Sequence, residues 1–323
     1  MSSPDPNKVS TSFIIPAGGD RYRLFGLLGE IGDGGLYHAV NIEDEGRVGF
    51  LRVDEENVGP LRMLQYMEAA EASGHDRHQA VAKVLEFDEA DDGLYVCFER
   101  LEGHTARQHL LASGPLLPHL ALEVTLRVLD AVLPWHDSDE AFGSVCAETV
   151  IIDADAERLR FFKLLPPSMA LLLLEEKPDD EGLESRMAAN RAPEVLLGDA
   201  PTPAADIFAA GVLLYELLTA EWPFASSSQA REQALVISAD APPLRDMGYE
   251  GLLAPELDRV LASMMAKRVD GRVSDARGAI VALRRVYQAF ADLAFHDMST
   301  VEVAGEGLAA ARAAWATRDE EAG

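Results

Sequence analysis

Short apolar runs dominate the first third of the chain. YRLFGLLGEI, GLYHAVNI, VGFLRV, AKVLEF and LYVCFERL follow one another between Tyr22 and Glu102, separated by glycines and acidic turns. Runs of that length and spacing predict β-strands. One stretch, PLRMLQYMEAAEAS (60–73), breaks the pattern with apolar residues at helical spacing. After LEGHT the texture changes to long amphipathic or wholly apolar segments: LLPHLALEVTLRVLDAVLPWH, DIFAAGVLLYELLTA, LDRVLASMMAKR and DARGAIVALRRVYQAFADL. Each predicts a helix. A β-rich portion followed by a larger helical one predicts a two-lobed α+β chain.

Composition narrows the function classes. The chain has 323 residues, 48% of them hydrophobic, enough for a sizeable core. Lys and Arg number 28 against 55 Asp and Glu, a formal charge of −27, which argues against nucleic acid and anionic lipid as partners. Two cysteines, Cys97 and Cys146, make no disulfide framework, and no Cys/His cluster has metal-ligand spacing. The first residues, MSSPDPNKVSTS, lack the basic and apolar regions of a signal peptide. The apolar runs LLPPSMALLLL and IFAAGVLLY are short of the roughly 20 residues that a membrane helix needs. A cytoplasmic protein without membrane insertion is the expectation.

The stretch APEVLLGDAPTPAADIFAAGVLLYELLTAEWPF (192–224) resembles, almost position for position, the segment of bacterial Ser/Thr protein kinases from the APE motif through the central helix of the C-terminal lobe. AKRVDGRVS follows with Arg272 at the place of the family's arginine that pairs with the APE glutamate, here Glu194. GEIGDGGLYHA is similar to the Gly-rich loop, VGFLRV to the strand that carries the cleft lysine, and VCFERLEGHT to the hinge. The resemblance implies a bilobal protein kinase-like fold: a flexible segment over 1–21, an N-lobe over 22–103, a C-lobe over 104–293 and an acidic, partly helical tail over 294–323.

The resemblance also locates where phosphate-handling groups belong, and the residues there are of other kinds. Phosphoryl transfer relies on metal ions, a lysine on the phosphates and a carboxylate that orients the hydroxyl. Arg52 stands at the cleft lysine, with Glu68 as its expected helix partner. In AFGSVCAETVIID, Phe142, Gly143 and Ser144 fall on the HRD positions and Thr149 on the metal-binding asparagine. In FFKLLPP, Lys163 replaces the magnesium-binding aspartate, and Leu164 and Leu165 replace the Phe and Gly. A serine hydroxyl takes up no proton at neutral pH, and a lysine repels Mg²⁺. Gly29 and Gly34 remain in the Gly-rich loop, but Ile31 takes the middle glycine's place.

The expectation from these substitutions is a pseudokinase: no enzyme, no metal and no cofactor, acting as a scaffold or binding module for a protein partner. Nucleotide held without metal by Gly29, Gly34 and Arg52, or an active kinase of unusual mechanism, are the alternatives. Lys163 and Arg52 are expected to engage Glu68 as an internal bridge across the cleft. Phe142, Leu164, Glu194, Asp206 and Arg272 are assigned structural roles, Asp206 as acceptor for amides of the loop around Phe142 to Ser144.

Overall fold

The computed structural model describes residues 15–17, 21–31, 34–53, 77–90, 93–155, 158–167, 191–249 and 251–301. The helix expected over 60–73, and Glu68 with it, lies outside the described residues.

Alternation of apolar side chains builds the N-lobe as a single antiparallel sheet. Strands β1 (Ile15–Ala17), β2 (Tyr22–Ile31), β3 (Gly34–Asn41), β4 (Arg47–Val53), β5 (Val84–Ala90) and β6 (Gly93–Phe98) lie in the order β1-β2-β3-β4-β6-β5. Successive residues of a strand point to opposite faces. One face therefore collects Tyr22, Leu24, Ala39, Val48, Phe50, Tyr95 and Cys97, with Phe50 stacked on Tyr95 at 5.0 Å between ring centroids. The other collects Leu28, Ile31, Leu36, Leu51, Val53, Val96 and Phe98.

The C-lobe is helical around a second, smaller sheet. Strand β7 (His104–Thr105) leads into α1 (Ala106–Ser113), whose first turn is capped by the Thr105 hydroxyl accepting from the Gln108 amide at 3.0 Å. Next come α2 (Pro118–His136) and the hairpin of β8 (Val150–Ala154) and β9 (Leu159–Leu164), which joins β7 in a three-stranded sheet. Beyond the undescribed stretch 168–190 follow α3 (Pro193–Leu196), α4 (Pro203–Thr219), α5 (Gln229–Ser238), α6 (Ala254–Met264) and α7 (Ala276–Val301). Every residue of α4 from Pro203 to Leu218 is buried. A helix apolar on all sides belongs at the centre of a lobe, and α2 packs against it. This is a bilobal α+β fold, as the strand and helix periods predict.

Candidate functional site: the closed cleft between the lobes

The inner face of the N-lobe sheet rests directly on the C-lobe. Cys146, Ile151 and Leu165 from the C-lobe join Leu28, Ile31, Leu36, Leu51, Val53, Val96 and Phe98 in one buried cluster. Ile31, Leu51, Ile151 and Leu165 are each 0% exposed. Full burial of an aliphatic side chain is worth about 1.5–3 kcal/mol, so this contact stabilises closure without help from a ligand.

Strand geometry places several of the sequence-selected residues differently from expectation. On β4, Leu51 and Val53 point into the cleft, and Arg52, between them, shares the opposite face with Phe50. Arg52 therefore does not stand at the cleft lysine's place; the side chain presented there is Leu51. The period of two leaves a strand no way to present both neighbours to one side. Gly29 and Gly34 are each required by close packing. A Cβ on Gly29 would come within 2.4 Å of the Thr105 hydroxyl oxygen, and one on Gly34 within 2.9 Å of the Arg52 carbonyl.

Lys163 lies on β9 opposite Ile151 of β8, on the side that faces the N-lobe. Its Nζ donates to the Gln79 carbonyl at 2.7 Å and to Glu99 Oε1 at 2.5 Å. The bridge expected with Glu68 falls outside the described residues; among those described, Glu99, at the start of the hinge, takes the Lys163 ammonium. Glu99 Oε1 also accepts from the Lys83 amide at 3.0 Å. Leu164, next in the strand, turns its side chain into the C-lobe core while its amide donates to Ala80 O and its carbonyl accepts from Ala82 N, both at 2.8 Å.

The loop between α2 and β8 is held rigidly by polar groups. Asp206 accepts from the Phe142 amide at 2.5 Å and the Gly143 amide at 2.8 Å. Gly143 adopts φ +80°, a conformation open to glycine at little cost. Phe142 packs edge-on to Trp135. The Thr149 hydroxyl donates to Ser144 O at 2.5 Å and accepts from the Cys146 amide at 3.2 Å, so it is spent inside the loop. The Ser144 hydroxyl is buried with no hydrogen-bond partner. Burial and Glu148 push the Cys146 thiol well up from its ordinary pKa, leaving it un-ionised. Further on, Arg272 forms a two-pronged pair with Glu194 at 2.6 and 2.9 Å and donates to Ala204 O and Ala266 O.

Three features escape a reading of the sequence. His136 accepts from the Ala276 amide through Nδ1, so its Nε2 carries the proton and donates to Asp206 at 3.0 Å, tying α7 to the loop. Arg107 reaches Glu148 at 2.8 Å and Glu216 at 2.6 Å; burial opposes its charge, but the two carboxylates prevail and hold it firmly ionised. Those partners lie 41 and 109 positions away, a separation at which no local pattern signals contact. Glu99 is the third, an acid of the hinge sequence with no mark to set it apart from Glu102.

A kinase site implies magnesium and ATP. The described cleft residues do not fit a magnesium ion: Leu51 and Leu165 are apolar, Lys163 is a cation already paired, and the Thr149 hydroxyl is engaged. No group of three or more His, Cys, Asp or Glu among the described residues could hold a metal.

The protein kinase domain family model matches residues 22–283. The chain belongs to the protein kinase family. Among curated relatives it is 26% identical over 224 residues to Serine/threonine-protein kinase PrkC of Bacillus subtilis, covering 69% of this chain and 34% of the relative. It is 25% identical over 258 residues to PknL of Mycobacterium tuberculosis, covering 79% and 63%, and 26% identical over 275 residues to PknB of the same species, covering 83% and 43%. The chain thus spans between about a third and two thirds of the length of these relatives. A solved structure, Rad53 1–466 in complex with AMP-PNP, shares the fold at a TM-score of 0.61 and 16% identity, covering 81% of this chain and 64% of that one. These findings correct the expectation that the chain is not an enzyme. The matching family is the protein kinase domain, and the relatives are named Ser/Thr protein kinases. The substitutions at Ser144, Thr149 and Lys163 do not by themselves establish inactivity. No helix of the described residues is long and apolar enough to cross a membrane.

Proposed function

We propose that the chain acts as an atypical Ser/Thr protein kinase whose cleft rests closed and parts to admit ATP and a protein hydroxyl. The observation that carries the reading is the match to the kinase domain over 22–283. It is supported by the hydrogen-bonded frame of the C-lobe, in which Asp206 holds the loop at Phe142 and Arg272 holds Glu194. Neither feature needs the cleft to be open. The carboxylates the chemistry requires are not among the described cleft residues.

The apolar contact between the lobes favours a second role alongside the first. Closed, the chain is a folded platform on which a protein partner can dock with no nucleotide bound. The test of the kinase reading is transfer of labelled γ-phosphate from ATP, with Mg²⁺ or Mn²⁺, to the chain itself and to a basic protein acceptor. Slow incorporation on Ser or Thr is expected; a correctly folded chain that leaves the label entirely on ATP would contradict the reading.

A further inference from the structure

The two lobes meet through two kinds of contact, one apolar and one ionic, and they sit side by side. Leu165 enters the buried interlobe cluster beside Cys146, and two residues before it Lys163 leaves β9 for the N-lobe. Its ammonium is mostly buried, with the side chain 16% exposed, and its partner Glu99 is 33% exposed. One oxygen of Glu99 collects the ammonium and the Lys83 amide, and the ammonium also takes the Gln79 carbonyl. Between these bonds the backbone of Leu164 is bound to Ala80 and Ala82. A charge-assisted hydrogen bond at such a distance is about twice as strong as a neutral one, and this one joins a C-lobe strand to the hinge end of the N-lobe sheet.

We propose that Lys163 and Glu99 form a latch that holds the lobes closed, so that breaking one ion pair behind the cleft frees the apolar contact in front of it to open. The inference deepens the kinase reading, which supplies the reason for opening, but the latch itself acts without nucleotide. Loss of either charge is tolerable for the fold: Glu99 is exposed enough to be hydrated, and the Leu164 main-chain bonds remain. What changes is the equilibrium between closed and parted lobes.

The two cysteines report that equilibrium. Cys146 is sealed in the interlobe cluster, and Cys97 lies on the other face of the N-lobe sheet beneath Tyr22 and Phe50. Parting of the lobes exposes the first and leaves the second covered, whereas unfolding of the N-lobe exposes both. Both thiols are held above the ordinary range, Cys97 at about 11, chiefly by burial, so each reacts through its opened form.

The experiment measures labelling of each cysteine by a disulfide reagent, resolved by mass spectrometry of the peptides, in the full chain without nucleotide. Lys163→Met and Glu99→Gln are each expected to speed Cys146 labelling about tenfold or more, the scale of one lost charge-assisted bond, with Cys97 unchanged. The double variant is expected to be no faster than either single one, because the two residues act as one pair. An unchanged Cys146 rate, a parallel rise at Cys97, or a double variant whose effect is the product of the singles would each overturn the latch. Absence of phosphate transfer would overturn the kinase reading and leave the labelling result intact, so the two failures are distinguishable.

Discussion

At the scale of single residues, buried charge is where this chain is most exposed to mutation. Arg272 has a fully buried side chain whose charge is met by Glu194. Removing one partner of such a pair strands the other and costs about 3–5 kcal/mol. Glu194→Ala should therefore lower the melting temperature by roughly 10 °C in a domain of this size, or abolish soluble expression; an unchanged melting curve would mean that the pair is hydrated. Lys267 offers a pH test. It lies 3.9 Å from the Phe224 ring centroid and donates to Val236 O, and burial, reinforced by Arg272, pulls its pKa down to about 8. Between about pH 8 and the usual lysine range the unfolded chain binds a proton there that the folded chain has lost, so this group makes stability rise with pH across that window. Thermal melts from pH 7.5 to 9.5 should show a rise in the wild type that is smaller in Lys267→Met. Equal slopes would contradict the assignment.

At the scale of elements, the strands and helices themselves were legible in the sequence because their periods are unambiguous. The wholly apolar DIFAAGVLLYELLTA becomes the buried centre of the C-lobe, and the short runs from Tyr22 onward become one sheet. Which face each strand residue takes was less legible. VGFLRV contains one basic residue, and resemblance to the family draws attention to it, yet the strand's alternation turns Leu51 into the cleft and Arg52 away. Motif alignment tolerates a one-residue offset; a β-strand does not. Lys163 stands out in the sequence for its charge, but Glu99 lies 64 positions away and only the fold brings them together. Gly29 stands out in the sequence as part of a Gly-rich run, and the fold adds a packing requirement that the sequence does not show. Gly29→Ala should drive β2 off Thr105, since an added methyl would stand 2.4 Å from the hydroxyl oxygen. The expected loss is about 1–3 kcal/mol, typical of overpacking, read as a lower urea midpoint. Thr105→Ser should not rescue it, because the oxygen stays.

At the scale of the whole molecule, two lobes of a protein kinase fold are pressed together by an apolar contact in which a polyphosphate has no partner among the described residues. Closure follows from ordinary hydrophobic burial at Ile31, Leu51, Ile151 and Leu165, and the Lys163–Glu99 pair stands beside it. On the proposed kinase reading, activity depends on a parted form and the high negative charge opposes the approach of ATP, so turnover should be slow and should rise with ionic strength as repulsion is screened. The most direct measurement is phosphoamino-acid analysis after incubating the chain, in excess over γ-labelled ATP, with Mg²⁺ or Mn²⁺ at low and moderate salt. The account predicts phosphoserine or phosphothreonine, formed faster at moderate salt; a correctly folded chain that leaves the label entirely on ATP under both conditions would contradict it.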